Sequence, residues 1–175
     1  KTADFGKERD YTKLSKEEIR AIIKEAGIVG MGGAAFPTHV KLTPKDENSI
    51  THVIINAAEC EPYLTSDYRM MLEEPQNLIT GLKVILSLFD NAKGVIAIEN
   101  NKPDCIETLD KLLTQQDKEK ICVMPLKAKY PQGAERNLIY AVTGKKINSK
   151  MLPADAGVIV NNVDTVISVK NAVCN

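Results

Sequence analysis

The sequence lacks an excess of charge of either sign. Its 175 residues include 23 basic and 23 acidic side chains, so the formal net charge at pH 7 is zero. Proteins that attract nucleic acid or an anionic membrane surface usually carry a strongly basic patch or domain. The composition therefore disfavours nucleic acid as a partner and disfavours direct binding to a membrane.

Long apolar runs are also missing. No stretch approaches the roughly 20 residues that a helix needs to cross a bilayer, and no signal-like segment opens the chain. The chain as written is therefore expected to be soluble. It has no initiator Met and stops after a helix-like run, so we expect it to be a piece of a larger protein.

The cysteines lack the spacing of metal ligands. There are four of them, with no C-x-x-C pair and no histidine nearby at ligand spacing: Cys60, Cys105, Cys122 and Cys174. Neither a zinc site nor an iron–sulfur cluster is indicated, and no metal-binding residue is predicted. Buried or half-buried thiols in a reducing compartment are the expected state.

The segment from Gly30 to Lys41, G-M-G-G-A-A-F-P-T-H-V-K, is the most unusual stretch that is present. Its glycines and alanines leave the backbone bare, so that N–H groups can approach a phosphate or another anionic ligand. It follows a predicted helix over 16–26, capped by Ser15 and Glu18, and does not follow a strand. This context fits neither the G-x-G-x-x-G dinucleotide fingerprint nor the P-loop. An ordinary glycine-rich turn is the alternative.

Apolar strands and amphipathic helices alternate along the rest of the chain. The predicted strands are 52–56, 94–98, 121–124 and 157–160. The further predicted helices are one from Pro75 with apolar positions as far as Phe89, one from Pro103, one ending at Gly144, and a final one carrying Val166, Ile167 and Val173. Continuous apolar strands joined by helices predict an α/β fold with a mainly parallel sheet and helices on both faces.

Polar segments follow several of these strands. They are 56–63 after the first strand, 130–136 after the third and 161–165 after the fourth. Ligands of open α/β sheets bind beyond the carboxyl ends of the strands, so these segments and the glycine-rich stretch predict one ligand site at that rim. The alternatives are a solvated acidic turn for 56–63 and simple helix caps for Asn162 and Asp164.

Four motifs carry a resemblance to a known family. G-x-G-G-A-x-F-P-T-x-x-K, N-A-x-E-x-E-P, Y-P-Q-G-x-E and N-N-V-x-T occur in this order within about 16–173. They resemble the FMN- and NADH-binding domain of the peripheral flavoprotein subunit of complex I, and most closely the C subunit of the Rnf electron transport complex. The resemblance implies a Rossmann-like domain over 16–175 that holds FMN noncovalently, with NADH stacking on the flavin. Residues 1–15 would be a leading arm or linker.

The resemblance also implies a set of site residues, position by position. The glycines would form a backbone cradle, Lys41 would reach the FMN, and the remaining positions would line the flavin, ribityl or phosphate groups. The implied FMN-binding residues are Gly30, Gly32, Gly33, Lys41, Asn56, Glu59, Tyr130, Gly133, Glu135, Asn161, Asn162 and Thr165. The implied NADH-binding residues are Glu61, near the nicotinamide, and Phe36.

Two positions depart from the complex I spelling. Ala58 and Ala134 stand where that family often has carboxylates, which removes two acidic groups from the nucleotide side. The implied chemistry is hydride transfer between nicotinamide C4 and flavin N5, which needs no obligatory protein acid or base. No catalytic residue is therefore predicted, and neither His39 nor His52 is assigned such a role.

The resemblance further implies a ferredoxin:NAD⁺ oxidoreductase that couples electron transfer to Na⁺ or H⁺ transport. Its place would be the cytoplasmic face of the cell membrane, reached through partner subunits, with ferredoxin as an indirect partner. The [4Fe–4S] clusters of such subunits would belong to a separate domain that is absent from this chain. The alternatives are a cobalamin reductase flavoprotein of bacterial microcompartments, a soluble NADH dehydrogenase or hydrogenase subunit, and a cofactor-free interaction module.

Overall fold

The computed structural model describes residues 8–59, 61–148 and 150–175. The expectations for Cys60 and for the start of the leading arm, residues 1–7, lie outside these residues. Among the described helices, none is long and apolar enough to pass through a membrane.

Four parallel strands form the centre of the molecule. They are β1 (His52–Ala57), β2 (Lys93–Glu99), β3 (Ile121–Leu126) and β4 (Val158–Asn162). Their order across the sheet is β3-β2-β1-β4, and every neighbouring pair is parallel. The predicted α/β fold with a parallel sheet is confirmed, and each predicted strand extends by one or two residues at one or both ends.

The helices surround this sheet. They are α1 (Lys16–Glu25), α2 (Thr38–Lys41), α3 (Ser66–Glu73), α4 (Pro75–Leu86), α5 (Pro103–Leu112), α6 (Gln115–Lys118), α7 (Glu135–Thr143) and α8 (Val163–Cys174). Short 3₁₀ turns occupy Tyr11–Lys13 and Pro153–Ala156. The predicted capping box of α1 is present, since Ser15 and Glu18 bond reciprocally.

Two helix predictions need correction. Helix α4 ends at Leu86, so Phe89 is not part of it; the backbone tightens there to bonds that reach back three residues, from Leu88 to Ile85 and from Phe89 to Leu86. Helices α2, α3 and α6 are absent from the sequence-based prediction. Helices α2 and α6 span four residues each, too few to show a helical period. Helix α3 is longer, with eight residues. Met71 is its only fully buried residue, so its apolar pattern is too short to be distinguished from a connection.

Alternate residues of the strands face two separate apolar layers. The larger layer joins Val53 and Ile55 of β1 to residues of α1, α3, α4, α5 and α8. The smaller layer joins Ile54 of β1 to Leu138 and Ile139 of α7. Helices on both faces are therefore confirmed, and the two faces are covered unequally.

The leading arm is docked where it is described. The Arg9 backbone N–H donates to the carbonyl of Cys174 at 2.8 Å, and the Arg9 guanidinium donates to the carbonyls of Ala172 and Asn175. Tyr11 is partly buried against the larger apolar layer. Residues 8–13 therefore pack against the end of α8.

Candidate functional site

The strand order creates a switch point between β1 and β4. The chain runs from β1 to β2 to β3 on one side of β1, and then returns to place β4 on the other side. Connections diverge at such a point, and they leave a crevice beyond the carboxyl ends of the two strands. These ends carry Asn56 on β1 and Asn161 with Asn162 on β4. The crevice lies at the predicted rim.

The glycine-rich segment forms a closed loop at this crevice. Its ends meet where the Gly30 N–H donates to the Phe36 carbonyl at 2.8 Å and the Ala35 N–H donates to the Gly30 carbonyl at 3.1 Å. Ala35 holds a φ of 48°, which is unusual for a residue with a side chain. The Met31 N–H donates to Thr165 Oγ1 at 2.9 Å, so the loop is tied to the first turn of α8.

The tip of this loop presents unused hydrogen-bond donors. Within the described part of the chain, the N–H groups of Gly32, Gly33 and Ala34 donate to no acceptor, and all three residues are exposed. Gly33 needs glycine because its φ is +104°. Gly32 does not, since an added Cβ would lie 3.5 Å from Asn162 Cβ, an ordinary contact. The fold therefore tolerates a side chain at Gly32.

Asn56 connects two of the predicted segments. Its Nδ2 donates to the Gly133 carbonyl at 2.9 Å, and its Oδ1 accepts from the Ala58 N–H at 3.3 Å. The segment after β3 is thereby held against the end of β1, as the sequence predicts. Both ends of the Asn56 amide are used within the chain.

Glu59 has a structural task that the sequence does not reveal. Its Oε1 accepts from the Asp67 N–H at 3.0 Å and from Ser66 Oγ at 3.4 Å, and its Oε2 accepts from the Tyr68 N–H at 3.3 Å. A carboxylate that accepts from free N–H groups at a helix start stabilises that start. Glu59 therefore caps α3, a helix that was not predicted from the sequence.

Asn162 joins α8 to α3. Its Oδ1 accepts from the N–H groups of Asp164 at 2.9 Å and Thr165 at 3.4 Å, which makes it the N-cap of α8. Its Nδ2 donates to Asp67 Oδ2 at 2.7 Å. The helix-cap role that was predicted as the alternative for Asn162 is present. The same side chain also bonds Asp67, a residue that was not predicted from the sequence.

Asp67 is held in an unfavourable electrostatic environment. Partial burial, followed by the nearby Glu59 carboxylate, raises its pKa from 3.8 to about 6, and Asp164 acts in the same direction. The hydrogen bond from Asn162 and the charge of Lys102 lower the pKa, but they do not compensate. The carboxyl group of Asp67 therefore changes charge within the range that proteins experience.

Asn161 leaves a donor unused in the interior. Only 2% of the residue is exposed, yet its Nδ2 has no hydrogen-bond partner among the described residues. A buried unpaired amide costs about 1–3 kcal/mol, so such groups are rare without a ligand or water to accept from them. Asn161 is the penultimate residue of β4, close in the chain to the switch point.

Two further buried polar atoms lie in the predicted motifs. The Oγ1 of Thr38, which begins α2, and the Oε1 of Gln132 have no partner among the described residues, and the two residues are 1% and 3% exposed. Neither residue was selected from the sequence. The available signal was a polar side chain within a motif, in F-P-T and in Y-P-Q-G respectively.

Lys41 holds the outer edge of β4. Its Nζ donates to the Val160 carbonyl at 2.8 Å, which leaves two of its three protons for other acceptors. Partial burial lowers the pKa of Lys41, and the charge of Glu135 opposes that shift. A partly desolvated ammonium group of this kind favours an anionic ligand.

A cleft of about 730 Å³ runs beside β4. It brings together three predicted residues, Phe36, Lys41 and Glu135. This size lies within the usual range for sites of small organic ligands. The other predicted site residues do not line the cleft. Two of them, Glu61 and Tyr130, are exposed, and 71% of Tyr130 is accessible.

Comparison with known proteins identifies the family. Residues 23–171 match the sequence model of the Nuo51 FMN-binding domain. The chain belongs to this family. The family relationship inferred from the four motifs is thereby confirmed.

Named relatives narrow the relationship within the Nuo51 family. The chain is 47% identical, over 94% of its length, to the C subunit of the proton-translocating ferredoxin:NAD(+) oxidoreductase complex of Clostridium ljungdahlii. It is 45% identical, over 87% of its length, to the Na(+)-translocating counterpart of Acetobacterium woodii. The matched regions make up 35% and 34% of these relatives, so the chain spans about a third of their length.

Solved structures show the same fold. An NAD⁺-reducing [NiFe]-hydrogenase in its H₂-reduced state matches with a TM-score of 0.77 over 91% of this chain and 31% of the hydrogenase chain. The sequence identity is 23%, so this likeness supports the Rossmann-like architecture alone.

The donors at the switch point fit the cofactor of the Nuo51 family. FMN carries phosphate, ribityl and ring oxygens, which accept hydrogen bonds. The segments around the switch point carry the loop N–H groups of Gly32 to Ala34 and the buried Nδ2 of Asn161, and Lys41 adds an ammonium group in the cleft beside β4. Among the described residues, no cluster of three or more His, Cys, Asp or Glu side chains is placed to hold a metal ion.

Proposed function

We propose that this chain binds FMN noncovalently at the β1–β4 switch point and passes electrons between NAD(H) and iron–sulfur clusters. The observation that carries the proposal is the Nδ2 of Asn161, a buried donor without an acceptor among the described residues, at the carboxyl end of β4. A flavin oxygen in the crevice would satisfy it. The desolvation cost that the free chain bears would then be recovered on binding.

The phosphate and ribityl groups are assigned to the glycine-rich side of the crevice. Gly30 closes the loop, and the N–H groups of Gly32, Gly33 and Ala34 form its open edge. The first turn of α8 adds the favourable end of a helix dipole. Lys41 contributes positive charge from the cleft side.

Several predicted residues act in this proposal through the frame of the crevice. Asn56, Glu59 and Asn162 hold the segments around β1, α3 and α8 together. Thr165 is fully buried and anchors the glycine-rich loop. Gly133 supplies a carbonyl to this frame.

NAD(H) is assigned to the cleft beside β4 and to the exposed rim. Phe36 is 47% exposed and lines that cleft with Glu135, so its ring is available for stacking against a base. Glu61 and Tyr130 stand exposed at the rim as further contacts. The alanines Ala58 and Ala134 offer no carboxylate to the nucleotide.

A bound FMN would supply the hydride chemistry and the single-electron chemistry that the chain's own side chains lack. The chain's own residues bind and orient the two nucleotides. Positioning alone can supply several kcal/mol towards lowering a barrier, because the reacting partners no longer have to find each other. No side chain of the chain is assigned a proton-transfer step.

The proposed physiological setting is an ion-translocating ferredoxin:NAD⁺ oxidoreductase, the Rnf complex, with this chain as part of its C subunit. The names of the two relatives and the identity of 45–47% support it, and they favour it over the cobalamin reductase alternative. In this setting [4Fe–4S] clusters belong to other parts of a longer subunit. Partner subunits hold the domain at the cytoplasmic face of the membrane, and ferredoxin is reached through them.

The test is a titration of the 175-residue chain with FMN, followed by flavin fluorescence. Bound FMN is then exposed to NADH without oxygen, and the absorbance of the flavin band is recorded. The expected results are saturable quenching of the fluorescence and bleaching of the absorbance. A variant with Asn161 changed to Leu serves as the site control and is expected to quench far less.

Each outcome decides part of the proposal. Absence of FMN binding in the folded chain contradicts it and favours a cofactor-free interaction module. FMN binding without bleaching by NADH retains the flavin site and contradicts the assignment of NAD(H) to this chain. Equal quenching by the Asn161 variant contradicts the location of the site.

A further inference from the structure

We infer that Asp67 is a positioning residue, whose carboxylate orients the Asn162 amide and thereby sets the arrangement of the glycine-rich loop at the flavin crevice. This inference rests on the proposed function, because it concerns the regulation of FMN binding at that site.

The geometry provides a continuous path from α3 to the loop. Asp67 Oδ2 accepts from Asn162 Nδ2 at 2.7 Å, so the opposite end of the amide, Oδ1, must face the first N–H groups of α8. One of those N–H groups belongs to Thr165. The Oγ1 of Thr165 in turn accepts a hydrogen bond from the Met31 N–H at 2.9 Å. Gly32 is close to Asn162, since a Cβ added at Gly32 would lie 3.5 Å from Asn162 Cβ. The loop therefore lies beside Asn162 and is linked to it through Thr165.

An ionised Asp67 discriminates between the two ends of the Asn162 amide. A carboxylate only accepts hydrogen bonds, so it admits the Nδ2 end of Asn162 and rejects the Oδ1 end. A protonated carboxyl group both donates and accepts, and it loses this discrimination. Hydrogen bonds to charged acceptors are also about twice as strong as neutral ones. The hydrogen bond that holds the Nδ2 end of Asn162 is therefore stronger and more selective when Asp67 is ionised.

The surrounding charges do not favour that carboxylate. Glu59 from the β1–α3 connection and Asp164 from α8 both raise the pKa of Asp67, which is about 6. Among the described residues, the cation that opposes them is Lys102, before α5, and Lys102 is already paired with the buried Glu99 at 3.3 Å. Asp67 is thus an acidic residue whose surroundings disfavour its ionised form. Such residues are typical of functional positions.

The first test uses the chain without FMN. In a ¹⁵N-labelled sample titrated from pH 4.5 to 8, we expect the backbone amide signals of Met31, Gly32 and Thr165 to shift together with a midpoint near pH 6. The same signals in Asp67→Asn should not follow this midpoint. If Asp67 acted only within α3, the shifts would stop at its own helix, and that result would overturn the inference.

The second test measures FMN affinity at pH 8. Asp67→Asn keeps an acceptor oxygen for Asn162 but removes the charge, and we expect it to bind FMN about fivefold more weakly than the wild type. Asp67→Ala removes the acceptor as well and should bind more weakly still. Glu73→Gln, at the exposed far end of α3, is the matched control for loss of one charge and should bind like the wild type.

The two tests separate the two proposals. If wild-type chain does not bind FMN, the proposed function fails, while the amide titration still decides the role of Asp67. If Asp67→Asn binds FMN as tightly as the wild type, the positioning role is wrong. Tighter binding would show that the carboxylate acts by repelling the phosphate, which also overturns the inference.

Discussion

Two glycines, Gly81 at the crossing of α4 and α8 and Gly32 at the tip of the glycine-rich loop, meet different surroundings. A Cβ added at Gly81 would lie 2.3 Å from the Val166 carbonyl oxygen, so no side chain fits between the two helices. A Cβ added at Gly32 would meet Asn162 Cβ at 3.5 Å, an ordinary contact distance. The chain itself therefore requires glycine at Gly81, whereas at Gly32 the proposed reason is a ligand.

The polar residues of the crevice also divide into those that the described chain itself uses and one that it does not. Asn56 and Asn162 use both ends of their amides to hold neighbouring segments together. Asn161, one residue before Asn162, has a buried Nδ2 with no partner among the described residues. Asparagines near the ends of two neighbouring strands thus divide into two that hold the frame together and one whose Nδ2 has no partner among the described residues.

The largest effect is expected for Gly81→Ala, which tests whether the packing of α4 against α8 requires glycine at this position. Parting α4 from α8 should cost about 3 kcal/mol of unfolding free energy, as overpacking of a core does. The melting temperature of the FMN-free chain should fall by about 6–12 °C, measured by circular dichroism. An unchanged melting temperature would mean that the helices adjust without cost.

The next effect is expected for Asn161→Leu, which removes a buried donor that the described chain does not use. Replacing an unsatisfied amide with an apolar group of similar shape should leave the melting temperature of the FMN-free chain unchanged or raise it. FMN binding should weaken by about 2 kcal/mol, or roughly 30-fold in Kd. A loss of stability without a loss of affinity would instead make Asn161 a structural residue.

Gly32→Ala is the direct counterpart of Gly81→Ala. The added methyl group fits the free chain, so the melting temperature should change by no more than about 2 °C. The methyl group obstructs approach to the loop N–H groups, and FMN affinity should fall about tenfold, or about 1.4 kcal/mol. Isothermal titration calorimetry measures this change. Equal affinity in both proteins would remove the distinction between the two glycines.

The smallest effect is expected for Asp67→Asn, which changes a charge and leaves the glycines in place. The pKa of Asp67 is raised from 3.8 to about 6, so between these pH values the folded chain binds more protons than the unfolded chain. Its contribution to stability therefore falls as pH rises through this window and stays low above it. Asp67→Asn should unfold at a higher urea concentration than the wild type at pH 8, with the difference shrinking at pH 4. A difference that is independent of pH would contradict the assignment.

Much of the fold could be predicted from local patterns. The reciprocal Ser15–Glu18 cap, the apolar strand runs and the prolines Pro75 and Pro103 at helix starts depend on residues close in sequence. Helix α3 and the true end of α4 could not be predicted, because tertiary contacts and capping decide them. Glu59 caps α3 from outside the helix, seven to nine residues away from its partners.

The candidate site, like the fold, could be predicted from the sequence only in part. The motifs predicted that polar segments meet at one rim of the sheet, and the bond from Asn56 to the Gly133 carbonyl confirms that the segments after β1 and β3 meet. Which motif residue holds the frame and which stays unpaired could not be predicted. That distinction depends on partners 77 to 95 residues away, such as Gly133 for Asn56 and Asp67 for Asn162.

The sequence by itself determined the alternation of strands and helices, the bare backbone of the glycine-rich segment and the family to which the chain belongs. These properties follow from hydrophobic periodicity, capping chemistry and motif order, all of which are local. The tertiary structure alone decided that Gly81 is needed for packing and that Asn161 keeps a donor with no partner among the described residues. Burial, close approach and the raised pKa of Asp67 arise only when distant segments exclude water from one another.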